Sequence, residues 1–356
     1  MSKITVLTIA DRIACFYSLM PFFFCPCGAR FTFTVSPEWC LRKDKNKVLI
    51  LMRQFIKPDR VDLDLLKSLR AKYERVVFFH DDAGGGIPRL EALPYTDLFY
   101  CKALFRDRDL YRRSLYGKEL YSDYYHRKYG VTDPDWKDRP GVHDAKELDK
   151  LRLSWNIGAG DYPRDKLRQR AGVAAARVFG VPAAKAFYRR GKKTRVSPPE
   201  QSVRDIGAHC RIGRISRPSV DFQRGLVLEK VQDDPLFLTG SAPQAAYNRE
   251  LARAKIVVSP FGWGELCLRD FETVRAGALL LKPDMSHLET WPDVFTDGET
   301  CAFFDWDAEN LREQAHRYAG NESERIRIAE NAARVYRSAM DGLAERFQGI
   351  IREVLS

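Results

Sequence analysis

The sequence predicts an α/β protein built from two doubly wound parallel domains, and three observations carry that reading. Short apolar runs alternate with helix-patterned stretches over residues 1–160, the arrangement of a parallel sheet joined by crossover helices. Residues 247–282 repeat the theme in one unit: helix, buried strand, glycine-bearing loop, helix, glycine stop, buried strand. The length of 356 residues exceeds what one simple core accommodates and suits two domains.

Taken in order, Ile4–Ile9 is a β-branched run ended by Ala10-Asp11 and reads as the first strand. Ile13–Ala29 is uncharged and rich in Phe, which raises the question of a membrane anchor. Asp11-Arg12 precedes it, Pro21 interrupts it, and its length barely spans a bilayer, so it reads as a buried helix or loop after strand one. Lys47–Met52 is the next strand, and Asp62–Tyr73, with leucines at 63, 65, 66 and 69, is a helix. Arg75–Phe79 is a strand that ends in His80-Asp81-Asp82 ahead of three glycines. Thr96–Ala103 and Leu151–Ile157 are two more, and the Tyr- and Arg-rich Asp107–Tyr129 reads as helical, lying over that sheet or at its edge.

Residues 161–199 form a basic seam between domains. It holds an alanine-rich helix near Ala171–Val178, a turn at Gly180-Val181-Pro182 and a basic string (Lys185, Arg189, Arg190, Lys192, Lys193, Arg195), and it closes at Ser197-Pro198-Pro199. Beyond it, Arg204–Arg211 is a strand, Gly213–Phe222 a loop, Gln223–Gln232 a helix and Leu236–Thr239 a strand, before the 247–282 unit. The tail Asn310–Ser356 reads as helical throughout. The division is therefore 1–160, the seam 161–199, a second domain 200–340, and a final helix 341–356 that packs back on the first domain.

Hydrophobic and charged fractions of 45% and 30% are those of a folded globular chain and exclude a disordered one. The net charge of +11 favours anionic partners: nucleotide phosphates, an anionic lipid surface or nucleic acid. No RRM, KH or zinc-finger signature supports nucleic acid. The eight cysteines follow no repeating frame and read as reduced thiols of a cytoplasmic protein. Cys15, Cys25, Cys27 and Cys40 lack the paired C-x-x-C spacing of structural zinc.

The densest signal lies in the 247–282 unit. Arg269 and Glu272 are three apart on its second helix, so they share a face, and Gly277 ends that helix. Gly262 and Gly264, in Phe261-Gly262-Trp263-Gly264, let backbone N–H groups approach a phosphate or sugar, with a helix starting near Glu265. A cation and a carboxylate at the C-terminal end of a parallel strand suit a ligand bearing phosphate and sugar hydroxyls.

This stretch resembles the donor-binding motif of GT-B glycosyltransferases, in particular the exostosin-type and group 1 families. Its Arg-x-x-Glu followed by Gly277 and its continuation to Asp297-Gly298-Glu299-Thr300, Cys301–Phe304 and Asp305-Trp306-Asp307 are similar to that pattern. The resemblance implies two Rossmann-like domains facing a cleft, with sugar transfer from a nucleotide-sugar donor to a hydroxyl acceptor. By the same resemblance Glu272 holds the ribose and Arg269 is a donor-side cation. Glu265 is the candidate sugar contact, although the group 1 pattern would set that glutamate one residue earlier, at the position of Gly264. Arg211, Arg214 and Arg217, after the second domain's first strand, are candidates for the diphosphate, with Arg211 and Arg214 foremost; no obligatory metal or cofactor is expected.

Asp82, Asp81 and, as a rival, Asp11 are candidate general bases if transfer inverts. Asp133-Pro134-Asp135 reads as a turn, and His287 as either a donor contact or a loop-stabilising group. The basic string 185–195 fits either peripheral contact with an anionic membrane or a solvated linker. The expected acceptor is a glycan or lipid-linked hydroxyl in surface polysaccharide or glycoconjugate synthesis. A GT-B sugar-nucleotide epimerase and a non-catalytic sugar or lipid-head-group binding protein are the alternatives.

Overall fold

A computed structural model describes residues 2–52, 62–80, 90–117, 119–134, 138–139, 141–159, 166–188 and 203–356. The first sheet consists of β1 (Ser2–Leu7), β2 (Ala29–Thr34), β3 (Val48–Met52), β4 (Arg75–His80), β5 (Leu98–Cys101) and β6 (Leu151–Leu153), in the order β2-β1-β3-β4-β5-β6. All its pairings are parallel. The second consists of β7 (Ile206–His209), β8 (Phe237–Leu238), β9 (Ala254–Val258), β10 (Leu279–Pro283) and β11 (Ala302–Phe304), in the order β8-β7-β9-β10-β11, again all parallel. Each sheet thus reverses its winding direction once, between β1 and β3 in the first and between β7 and β9 in the second. Open α/β sheets receive ligands at such a reversal, beyond the carboxyl ends of the strands.

Both faces of each sheet are covered, which is why the strands read as continuous apolar runs. Along β3, Leu49 and Leu51 enter one core cluster while Ile50 and Met52 enter the other. The final helix Leu343–Leu355 covers one face of the first sheet, burying Phe347 and Ile351 beside Ile4, Val6, Ile50 and Phe79. The helical tail consists of three helices, Leu311–Gly320, Glu322–Asp341 and Leu343–Leu355, with breaks at Asn321 and Gly342, the last of them close to the final helix expected over 341–356.

Three expectations are corrected. The run Ile13–Ala29 becomes a π-helical turn (Ala14–Ser18) and a short helix (Met20–Phe24), and its last residue opens an unexpected edge strand, β2. The stretch Asp107–Tyr129 is not one helix on the first sheet. It forms a 3₁₀ turn (Arg108–Arg112), a two-residue strand and a helix (Leu120–Tyr129), and that helix packs on the second domain. Its tyrosines decide the docking, since a buried phenol needs a partner: Tyr124 donates to Asp307 (2.6 Å), Tyr125 to the Trp306 carbonyl (2.7 Å) and Tyr121 to the Gly262 carbonyl (3.2 Å). Ala103–Phe105 also pairs antiparallel with Leu288–Thr290.

Asp133, expected in a simple turn, is buried between the domains. It accepts hydrogen bonds from Arg217 Nε (3.0 Å), the Ser219 amide (2.8 Å) and the Ser219 hydroxyl (2.8 Å). It therefore caps the helix Pro218–Val231, whose N-cap residue Arg217 makes no side-chain cap of its own. The Arg217 guanidinium also pairs with Glu119. Asp135 lies outside the described residues.

Candidate functional site

The two winding reversals face one another across a cleft of about 560 Å³. The loop after β1 contributes Arg12, Ile13 and Tyr17, and Lys102 and Ile157 complete the first-domain wall. The second-domain wall contains Arg224, Tyr247, Gly262, Trp263, Gly264, Cys267, Arg269 and Glu272. Among the described lining residues four cations (Arg12, Lys102, Arg224 and Arg269) oppose the single carboxylate of Glu272. That imbalance suits a polyanion carrying hydroxyl groups.

The loop between β9 and the helix Leu268–Ala276 is fixed from beneath. Asp270 is wholly buried and accepts from the Ser259 hydroxyl (2.6 Å), the Cys267 amide (2.8 Å) and Lys282 Nζ (3.0 Å). Lys282 is itself wholly buried, between the rings of Phe261 and Phe295. A buried ion pair with its remaining donors satisfied holds one geometry, and here that geometry presents the glycine loop to the cleft. The helix begins at Leu268, three residues later than expected, and ends on Gly277 at φ 69°.

Glu272 is half-buried, and the Tyr247 hydroxyl lies 3.5 Å from its Oε2. Arg269 donates through Nη2 to the Arg211 carbonyl at 3.3 Å. Its Nε is buried without a hydrogen-bond acceptor among the described residues. Arg224 bridges the loops after β7 and β9, donating to the carbonyls of Gly213 (2.6 Å) and Phe261 (3.3 Å). Burial, and after it the charge of Arg269, pulls the Arg224 pKa down. Two guanidiniums held near each other and partly out of water are relieved by an anion between them. Gly262 is closely packed: a Cβ would meet Cys267 Sγ at 3.1 Å, so the thiol would have to give by a few tenths of an ångström.

Four of the expected residues therefore share this cleft: Glu272, Arg269, Gly262 and Gly264. Five others do not line it, among them Arg217, whose guanidinium is buried against Glu119 and Asp133. The Arg211 side chain makes a bidentate pair with Glu250 (3.0 and 2.8 Å), and its carbonyl accepts from Arg269. Arg214 pairs with Asp221 beside a separate surface depression. Glu265 is wholly buried behind the loop. His287 sits between Phe105 and Trp306, ring centroids 6.2 and 5.3 Å away, where burial lowers its pKa to about 4 and keeps it neutral at pH 7. Of the candidate bases, Asp81 and Asp82 lie outside the described residues, and Asp11 accepts from the Ala14 amide at 2.7 Å, where it starts the turn whose Tyr17 lines the cleft.

Arg12, Tyr17, Lys102, Arg224, Tyr247 and Ile157 were not singled out from the sequence as site residues, and Trp263 was named only as part of its loop. Arg224 had a readable signal. Pro218 at the first helical turn marks an earlier helix start than Gln223, which places residue 224 in the second turn, beside the glycine loop.

Residues 228–347 match a family model described as glycosyl transferase-like. No curated protein matches. Among solved structures the chain is similar to an alpha-glucosyltransferase in complex with UDP-glucose and DNA containing an abasic site, at 10% identity and TM-score 0.48, covering 99% of each chain. It is similar to HepE of Anabaena in complex with UDP-glucose, at 10% identity and TM-score 0.48, covering 100% of this chain and 99% of that one. It is also similar to the pneumococcal O-GlcNAc transferase GtfA in complex with UDP and GlcNAc, at 8% identity and TM-score 0.45, covering 90% of this chain and 59% of that one. The match gives residues 228–347, within the second domain, a glycosyl transferase-like character, in line with the resemblance. The two parallel domains facing a cleft are the architecture that the GT-B resemblance implied.

Proposed function

We propose that the protein binds a nucleoside diphosphate sugar on the second-domain wall of the cleft and transfers the sugar to a hydroxyl acceptor held against the first. The observation that carries this reading is the convergence of four cations and one carboxylate where the winding reversals of the two domains face each other. Glu272 accepts hydrogen bonds from the ribose hydroxyls. Arg224 and Arg269 grip the diphosphate and stabilise the charge that grows on it as the bond from the sugar's anomeric carbon to phosphate breaks. They supply the positive charge that a divalent cation would otherwise provide. The acceptor oxygen forms the new bond to that carbon, and its proton passes to a carboxylate if the configuration inverts, or to the departing phosphate if it is retained.

Ile13, Ile157 and the indole of Trp263, which is 60% exposed at the rim, give the acceptor side apolar surface on which a sugar ring or lipid stem can rest. We read the acceptor as a glycan or a lipid-linked hydroxyl of surface polysaccharide or glycoconjugate synthesis. No helix among the described residues is long and apolar enough to cross a membrane. A net charge of +11 suits peripheral contact with anionic lipid. Of the basic string, Lys185 is described and residues 189–195 lie outside the described residues.

A thermal-shift screen against UDP-, GDP-, dTDP- and CMP-linked sugars tests the donor, since a ligand bound to the native state raises the melting temperature. Selective stabilisation by one nucleotide, with nucleotide released only when an acceptor is present, is the expected result. Interconversion of the donor without acceptor would make the protein an epimerase, and uptake without nucleotide release a binding module. No stabilisation by any nucleotide sugar would overturn the reading.

A further inference from the structure

The helix Lys166–Phe179 has an outward face that the sugar-transfer chemistry does not use. Its inner side holds Gly172 and Ala176, and Gly172 allows a close approach: a Cβ there would lie 2.4 Å from the Phe16 ring and 3.1 Å from Phe187 Cβ. Opposite that contact, Ala171, Ala174 and Val178 fall on one line of the helix surface and all are exposed. Val178 is 73% exposed, the adjacent Phe179 80%, and Leu167, at the same angular position, 73%. An ordinary surface helix places charges at the centre of its outward face; here the centre is apolar and the charges form the border.

Arg170 and Arg177 flank the line on one side and Arg168 on the other. Arg168 is held by the carbonyls of Phe187 (2.7 Å) and Tyr188 (3.2 Å), and Arg177 donates to the Ala10 carbonyl at 3.3 Å. Elsewhere in this unit Phe24, 45% exposed, packs against Tyr188 and has Lys185 Nζ 5.1 Å from its ring centroid. Residues 166–188 contain five Lys and Arg and no Asp or Glu.

We propose that this face rests on the surface of an anionic lipid bilayer, with Val178 and Phe179 entering the headgroup region and the bordering arginines meeting lipid phosphates. The charge pattern selects this occupant. A second copy of the chain would bring like-charged borders together, and the apolar centre offers a protein partner no hydrogen-bonding group. An interfacial helix has this layout, an apolar stripe flanked by long cationic side chains whose stems lie along it. The face also has a fixed relation to the cleft. Phe16 packs beneath Gly172 while the next residue, Tyr17, lines the acceptor wall, so both surfaces belong to one packed unit.

This proposal stands apart from the donor assignment and is tested separately. The full chain is sedimented with vesicles of phosphatidylcholine alone and of phosphatidylcholine mixed with phosphatidylserine. Binding to the mixed vesicles, weak binding to phosphatidylcholine alone and release by salt are expected. Val178→Ser combined with Phe179→Ser should lower partitioning by about tenfold or more. Arg170→Gln should lower it by about fivefold, each surface cation contributing that order of attraction. All three positions are exposed, so the circular dichroism spectrum and the donor-induced thermal shift should be unchanged, and a variant that loses vesicles but keeps the shift leaves the donor site standing. The proposal is overturned if the parent protein ignores mixed vesicles at low salt, or if neither variant changes partitioning. It is equally overturned if sedimentation velocity finds a dimer that the Val178→Ser, Phe179→Ser variant disperses.

Discussion

Replacing Glu272 with alanine isolates the ligand's share of this residue from the fold's. The carboxylate is half-buried, and the Tyr247 hydroxyl stands 3.5 Å away, at the limit of a hydrogen bond. Removing such a group should cost the folded state no more than about 0.5 kcal/mol, the range of a surface substitution. A bound nucleotide loses far more, because its ribose hydroxyls are left unpaired in a partly enclosed cleft. That penalty is about 1–3 kcal/mol, which corresponds to affinity weakened by about 5- to 150-fold. Calorimetric titration with the nucleoside diphosphate that stabilises the parent protein gives the affinity, and urea unfolding gives the stability. Glu272→Gln, which keeps an acceptor oxygen and loses the charge, should fall between alanine and the parent. An alanine variant that unfolds would make Glu272 a structural residue, and one that binds within twofold of the parent would remove it from the donor site.

Arg224→Lys should lower turnover by about tenfold or more, because an ammonium cannot hold the Gly213 and Phe261 carbonyls and still present a planar fork to phosphate; steady-state rates within twofold of the parent would exclude it. Arg269→Lys should behave alike for the same reason. Asp133→Ala leaves Arg217 buried against Glu119 with an unsatisfied Nε and uncaps the helix at Ser219, so urea unfolding should record a loss of roughly 3–5 kcal/mol, and a loss below about 1 would contradict the account. Asn substitutions at Asp11, Asp81 and Asp82 should single out any inverting base by a fall of about a hundredfold in turnover with nucleotide affinity kept. Normal turnover in all three, with product NMR reporting a retained anomeric configuration, would exclude these carboxylates as bases.

The part of the second-domain wall that bears Arg269, Glu272 and the glycine loop was legible because its information is local. Arg269 and Glu272 share a face by helical spacing alone, and Gly277 marks the helix end by the conformation it must adopt. The apolar runs of β3, β4, β9 and β10 were legible for the same reason, being buried on both faces. β2 was not: it is an edge strand, Ala-Arg-Phe-Thr-Phe-Thr, whose later residues are only half-buried or exposed, and the expected Phe-rich run extended to Ala29 past Pro26 and Gly28, which separate the two. The basic loop Arg211–Arg217 shows the converse error. Three arginines after a strand suggest phosphate, yet Glu250, Asp221 and the pair Glu119 and Asp133 take their side chains. Nothing in the spacing of residues 39, 7, 98 and 84 positions away identifies those partners.

What no local pattern supplies is the placement of one reversal point against the other. Arg12 follows β1 and Lys102 follows β5, and in sequence each is one basic residue among many. They become site residues because the helix Leu120–Tyr129, though it lies between β5 and β6 in the chain, is docked by its tyrosines on the second domain. The Tyr121 phenol reaches the carbonyl of Gly262 itself, in the loop that lines the cleft. The first domain thus holds the glycine loop directly as well as facing it. Any motion that opens the cleft must either carry this helix with the second domain or break the buried contacts of Asp133 and Arg217. The second course costs several times more than the loss of a surface contact. Opening is therefore expected to hinge where the chain leaves and re-enters the first sheet, near Lys102 and Leu151, rather than at the helix, so that Lys102 stands both in the cleft and at the turning point of the motion that would close it.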